Sequence, residues 1–186
     1  MKLLSYAAVG RQDVCSQLVA EGGLKPLFGV LLRIGLPSSP DDTDLDFHTL
    51  SLINHLLRQL ADDDRIRVTA KFLEKQAQKT HRLVPPTHLL LTFRSLLDIY
   101  QVYGTRLQDA DDDDFLVKCD AGLEVACMAV RVLMALTQDG NSLLVDSLFA
   151  ILRYRGLSIE ELSTTHTLKL NRRRGRRVKR SFSISS

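Results

Sequence analysis

Between Phe47 and Leu60 the apolar side chains Phe47, Leu50, Ile53, Leu56, Leu57 and Leu60 recur at every third or fourth position. That is the repeat of one helix face and not of a strand, whose faces alternate every second residue. The same spacing returns in Leu89, Leu90, Phe93, Leu96, Leu97 and Tyr100, and again in Phe115, Cys119, Leu123, Cys127, Val130 and Met134. A chain written this way has several helical stripes to bury and no sheet to lay over them, so helix must pack on helix. Composition agrees: 45% of the 186 residues are apolar, only 6% are aromatic, and there is no Trp. Leucine-rich and poor in aromatic residues, such a chain favours helices over strands. Its length is that of one ordinary domain.

The punctuation divides these stripes into short elements. Residues 3–9 read as a short apolar helix stopped by Gly10, and Asp13 is placed to cap a second one through Ala20. Glu21-Gly22-Gly23-Leu24-Lys25-Pro26-Leu27 follows, where glycines turn the chain and Pro26 opens the next helix in a first turn whose N–H groups lack partners. Pro37 and Pro40 mark a surface loop, and Asp62, Asp63 and Asp64 begin a helix expected to bury Ile66, Ala70, Leu73 and Ala77. Pro85-Pro86 separates that helix from the next stretch, which lies before Gly104. The acidic run from Asp109 to Asp114 then introduces the longest apolar helix. With Leu116, Val132, Leu133 and Leu136 widening its face, that helix requires neighbours on several sides. Asp139-Gly140-Asn141 turns the chain into a final helix through Tyr154, stopped by Gly156.

Charge is distributed in two blocks. Residues 163–186 hold eight basic side chains (Lys169, Arg172, Arg173, Arg174, Arg176, Arg177, Lys179, Arg180) and no acid, a charge of +8. The 17 basic and 22 acidic side chains before them leave the body at −5, so the formal +3 of the whole conceals a dipolar molecule. A basic arm of this kind suggests an address or a ligand more than an active site.

Catalytic and metal-binding signatures do not emerge. His48, His55, His81, His88 and His166 have no H-E-x-x-H spacing, and Cys119 and Cys127 stand eight apart. Gly22-Gly23 lacks the lysine and hydroxyl of a phosphate loop, and no local Ser or Cys stands beside a histidine and an orienting acid. The expectation is a non-enzyme with no cofactor and no metal, its three cysteines buried and reduced. The apolar start at Met1 stops at Gly10-Arg11-Gln12-Asp13, too soon for a secretory signal, and no run approaches the roughly 20 apolar residues of a membrane span. A soluble intracellular protein without a membrane partner is expected.

The acidic runs 41–46, 62–64 and 109–114 read as solvated helix starts. A sharper reading makes Asp111, Asp112, Asp113 and Asp114 part of an electronegative surface for Lys/Arg-rich peptides, weakened by salt because exposed ion pairs are individually weak. The arm Arg172, Arg173, Arg174, Arg176, Arg177, Lys179, Arg180 admits three readings: a nuclear-localisation signal, an RNA contact of little sequence preference, or a solubilising tail. Phosphate on Ser181 or Ser183 would weaken any electrostatic contact of the arm.

Three segments carry a resemblance. The first is Met1 to Gly10 with the Gly23-Leu24 corner and Pro26-Leu27-Phe28 after it. The second runs from His48 to Val84, notably Leu52-Ile53-Asn54-His55-Leu56-Leu57-Arg58-Gln59-Leu60 and Lys71-Phe72-Leu73-Glu74-Lys75. The third, the most distinctive, is Asp114-Phe115-Leu116-Val117-Lys118-Cys119-Asp120-Ala121-Gly122-Leu123. In their order and separations they resemble the C-terminal, armadillo-type part of the beta-catenin-like protein 1 family, over roughly residues 1 to 160. With the all-α reading, the resemblance implies an armadillo-like α-solenoid fragment of stacked helices over residues 1–162; the basic tail over 163–186, expected to be disordered, does not look like the family's C-terminus and takes no role from it. The resemblance implies a nuclear protein-interaction scaffold of mRNA splicing, associated with the spliceosome through the nineteen complex and recognising basic localisation-type segments of its partners. An RNA-associating protein acting through the basic arm is the alternative. The family's earlier repeats are absent here, so an exposed apolar end and self-association are expected as well.

Overall fold

A computed structural model describes residues 1–35, 43–73, 91–109, 115–138 and 140–158, without the side chains of Asp62, Phe115, Leu116 and Lys118. Among these residues there are nine α-helices and no strand: α1 (Lys2–Ala7), α2 (Gln12–Ala20), α3 (Leu24–Leu31), α4 (Thr43–Gln59), α5 (Asp62–Leu73), α6 (Leu91–Asp109), α7 (Phe115–Asp120), α8 (Leu123–Thr137) and α9 (Ser142–Tyr154). The basic arm, the four aspartates 111–114, Ser181 and Ser183 lie outside the described residues, as does Ala77.

Two helices form the centre. Ten of the 17 residues of α4 are buried, and ten of the 15 of α8, a proportion that only neighbours on several sides can produce. The two pack most extensively on each other. Helices α1, α2, α3 and α5 lie against α4, α6 runs along α8, and α9 rests on α8 with its edges on α5 and α6. Leu50, Ile53, Leu56 and Leu57 of the expected stripe are all buried in this centre, and Phe47 is half-buried.

The corner between α2 and α3 uses its two glycines for different reasons. Gly22 takes φ 77°, the left-handed conformation in which a side chain is strained. Gly23 has an ordinary φ of −63°, but a Cβ there would collide with the Leu18 side chain and carbonyl, to which the Gly23 N–H donates at 2.8 Å. Pro26 is the third residue of α3, where no backbone N–H is needed.

Two expectations are corrected. Helix α5 does not bury Ile66 and Ala70: Ile66 is 61% exposed and Ala70 is exposed, while Val68, Thr69 and Phe72 are buried. Phe72 decides this rotation, because its ring fits between Phe28 of α3 and Phe93 of α6, at centroid distances of 5.3 Å to each. An aromatic ring buries more area than the alternative stripe offers. The helix expected from Phe115 to Leu136 is two, α7 and α8, separated at Gly122, whose φ of 93° is left-handed.

Candidate functional site

The polar residues that sequence patterning treats as surface form joints between helices. Asp46 belongs to the acidic run read as a solvated helix start, yet it is only 7% exposed. It accepts from Arg33 Nη2 at 2.7 Å and from Tyr103 Oη at 3.1 Å, so one carboxylate of α4 ties the end of α3 to the middle of α6. Arg33 reaches it from a left-handed φ of 56° just past α3. The Tyr103 hydroxyl also meets Thr43 Oγ1 at 3.4 Å, and the Arg106 guanidinium lies 5.1 Å from the centre of its ring. On the ring's flank sits Gly122, where a Cβ would fall inside the ring's van der Waals envelope. Burial raises the Tyr103 hydroxyl above its usual pKa, keeping it a donor. A signal for Asp46 existed: it shares the spacing of Leu50, Ile53 and Leu57 on the buried stripe.

A second joint holds α1. Ser5 Oγ donates to the Lys2 carbonyl at 2.8 Å, and with that single proton used it accepts from His48 Nδ1 at 2.8 Å. This tautomer is assigned from the network. The imidazole is packed edge-on against Tyr6 and Phe47, with centroids 5.4 and 5.2 Å away. Burial, with Lys2 and the N-terminal amine opposed by Asp44, lowers the His48 pKa from 6.5.

At the third joint the Cys15 thiol, buried between α2 and α4, faces the Ala8 carbonyl at 3.9 Å and Gln59 Oε1 at 3.7 Å, while Gln59 Nε2 lies 3.2 Å from His55 Nδ1. Burial, helped by Asp13, raises the Cys15 pKa and keeps the sulfur protonated, the wrong state for a nucleophile. Cys127 is buried too, but Cys119 is half-buried, contrary to expectation. Among the described residues no group of three or more His, Cys, Asp or Glu side chains is arranged to hold a metal, and no helix is long and apolar enough to cross a membrane.

The first helix presents apolar side chains to solvent, as α9 does with Leu143, Phe149 and Tyr154. Leu3 is 84% exposed, and Leu4, Tyr6 and Val9 are exposed with it, while the buried residues of this segment are Ser5 and Ala8. The helix is therefore inverted, its polar Ser5 inside and its leucines outside. A further charged joint is made by Arg155, which donates to Gln101 Oε1 at 2.9 Å and Asp98 Oδ1 at 2.8 Å, fastening the end of α9 to α6. Of the residues singled out in sequence, the basic arm, the four aspartates and the two serines lie outside the described residues.

With helices, joints and an inverted first helix in place, comparison with known proteins decides the family. The family described as "Catenin-beta-like, Arm-motif containing nuclear" matches residues 1–169. The chain belongs to the catenin-beta-like family. The all-α, armadillo-like reading of the sequence stands with this assignment. The chain is also similar to beta-catenin-like protein 1 of Bos taurus, at 25% identity over 180 residues that cover 86% of this chain and 31% of that protein. This catenin-beta-like chain thus spans about a third of the length of the curated relative it matches. No solved structure matches it significantly.

Proposed function

We propose that this catenin-beta-like chain is a non-enzymatic scaffold of nuclear pre-mRNA splicing that holds protein partners of the spliceosomal nineteen complex. The inverted α1 carries this reading: Leu3, Leu4 and Tyr6, with Val9 just past its end, face solvent while the polar groups at the joints are engaged in joining helices. Surfaces of that kind are used for association. The membership over residues 1–169, in a family described as nuclear, supports the compartment. In the same proposal Asp111, Asp112, Asp113 and Asp114 receive Lys/Arg-rich segments of the partners, and the arm from Arg172 to Arg180 directs nuclear import.

Affinity capture from nuclear extract tests it, with and without nuclease, using the full chain and a variant with Arg172, Arg173, Arg174, Arg176, Arg177, Lys179 and Arg180 all changed to Gln. Nuclease-resistant recovery of splicing factors by both forms is the expected result. Recovery of none sinks the splicing role. Association that vanishes with nuclease and with the Gln variant transfers the function to RNA binding by the arm, which its +8 charge would support by neutralising phosphates.

A further inference from the structure

Helix α8 is apolar on nearly every side, and Arg131 interrupts it near the middle. From Val125 to Thr137 this is the one charged residue. The positions three and four residues before and after it hold Cys127, Met128, Met134 and Ala135, so no acid one turn away on its own helix can pair with it. Arg131 is nevertheless half-buried. Among the described residues the other half-buried cations are all engaged: Arg33 with Asp46, Arg106 with the Tyr103 ring, Arg155 with Asp98 and Gln101, and Arg65 and Lys71 as well. Arg131 alone has no ion pair, hydrogen bond or ring contact there. An arginine is seldom withdrawn from water unless it is paired, because its charge loses hydration that nothing replaces. Its remaining exposure leaves the guanidinium within reach of a second molecule.

We propose that Arg131 anchors a docking site for a protein partner, and that it takes an aspartate or glutamate carboxylate standing beside an apolar side chain in the partner's segment. The anchor selects the carboxylate: a guanidinium is a planar fork of N–H donors that a carboxylate fills with two parallel bonds. The flanks select the apolar neighbour. Two of the chain's three methionines, Met128 and Met134, stand three residues to either side of Arg131, and the flexible thioether of methionine adapts to apolar partners. Met134 is half-buried at the edge of the core, so part of its surface is left for a partner. A nucleic acid fits this surface less well. Phosphate backbones are held by several cations along their path, whereas the charged residue that precedes Arg131 on α8 is the exposed acid Glu124, two turns away. Pairing with one carboxylate gives the guanidinium the acceptor that the fold withholds.

Selection of a displayed library of random peptides on the full chain tests the proposal, with the retained peptides then titrated by fluorescence anisotropy. Peptides retained by the wild type are expected to carry Asp or Glu next to Leu, Ile, Met or Phe. They are expected to bind Arg131→Met at least roughly tenfold more weakly, with Arg131→Lys in between. The urea midpoint of Arg131→Met is expected to equal or exceed that of the wild type, because the change removes an unpaired cation from an apolar helix. Retained peptides that lack acids, or that bind Arg131→Met as well as the wild type, overturn the proposal, as does a library from which nothing is retained. A urea midpoint that falls in Arg131→Met overturns it by showing that the arginine serves the fold. Binding of oligouridine that depends on Arg131, in place of acidic peptides, overturns it in favour of RNA.

Discussion

Gly122 has two requirements that no other residue meets together, a left-handed backbone and room for the Tyr103 ring. The backbone alone costs an L side chain about 1–2 kcal/mol, and forcing a methyl against a packed ring adds about 1–3 kcal/mol. Gly122→Ala is therefore expected to lower stability by several kcal/mol in urea unfolding, and a loss below about 1 kcal/mol would remove this account of the α7–α8 break. Asp46 is the buried member of its ion pair, whereas the Arg33 side chain is 34% exposed and partly screened. Asp46→Ala should cost about 2–3 kcal/mol, below the value for a fully buried pair, and a double-mutant cycle with Arg33→Ala isolates the coupling. Thr49 Oγ1 is buried without a hydrogen-bond partner among the described residues. Thr49→Val keeps the shape and removes the desolvated hydroxyl, so a gain of about 1 kcal/mol is expected; a loss of that size would reveal a partner for the hydroxyl.

Elements are placed by what their neighbours offer, and α1 and α5 illustrate this in opposite ways. In α5 the rotation is set by a partner already large and apolar, the Phe28–Phe72–Phe93 row, so Phe72→Ala should cost about 3–5 kcal/mol while Ile66→Ala changes little. The attachment of α1 is polar and pH-dependent. His48 is depressed chiefly by burial, with Lys2 and the N-terminal amine acting the same way against Asp44, and His55 by burial and Arg58. In the unfolded chain both return towards 6.5, so below that pH the unfolded state binds more protons than the native one. Stability contributed by the neutral imidazoles is present above pH 6.5 and is lost as the pH falls through the lower folded values. Urea midpoints measured from neutral to mildly acidic pH are expected to decline, with a shallower decline in His48→Gln. A flat profile would show that neither imidazole is held neutral by the fold.

At the scale of the whole molecule, the two central helices consume the apolar surface of most others, and α1 is left with Leu3, Leu4 and Tyr6 outward, with Val9 just beyond its end. An apolar face of this kind drives association, so the mass of the chain in sedimentation velocity is expected to rise with concentration, and Leu3→Lys with Val9→Lys to suppress the rise. A concentration-independent monomer would leave the face for other partners. The helices themselves were legible because period-3.6 patterning reports burial directly, and Gly22, Asn141 and Gly156 punctuate them where their caps lie; Asn141 Oδ1 accepts from the Leu144 N–H at 3.2 Å. The joints were not, since Asp46, His48 and Ser5 look like surface residues until the partner helix that satisfies them is in place.

The sequence by itself determined the all-helical class, the order of the elements, the tight corner at Gly22 and the split between an acidic body and a +8 arm, because periodicity, backbone conformation and charge are local properties. Only the tertiary structure decided that Asp46 is a buried joint and not a solvated cap, that Phe72 and not Ile66 faces inward, and that α1 shows its leucines to solvent. Each of these depends on which of two available faces finds a better partner, and the partner is distant in sequence.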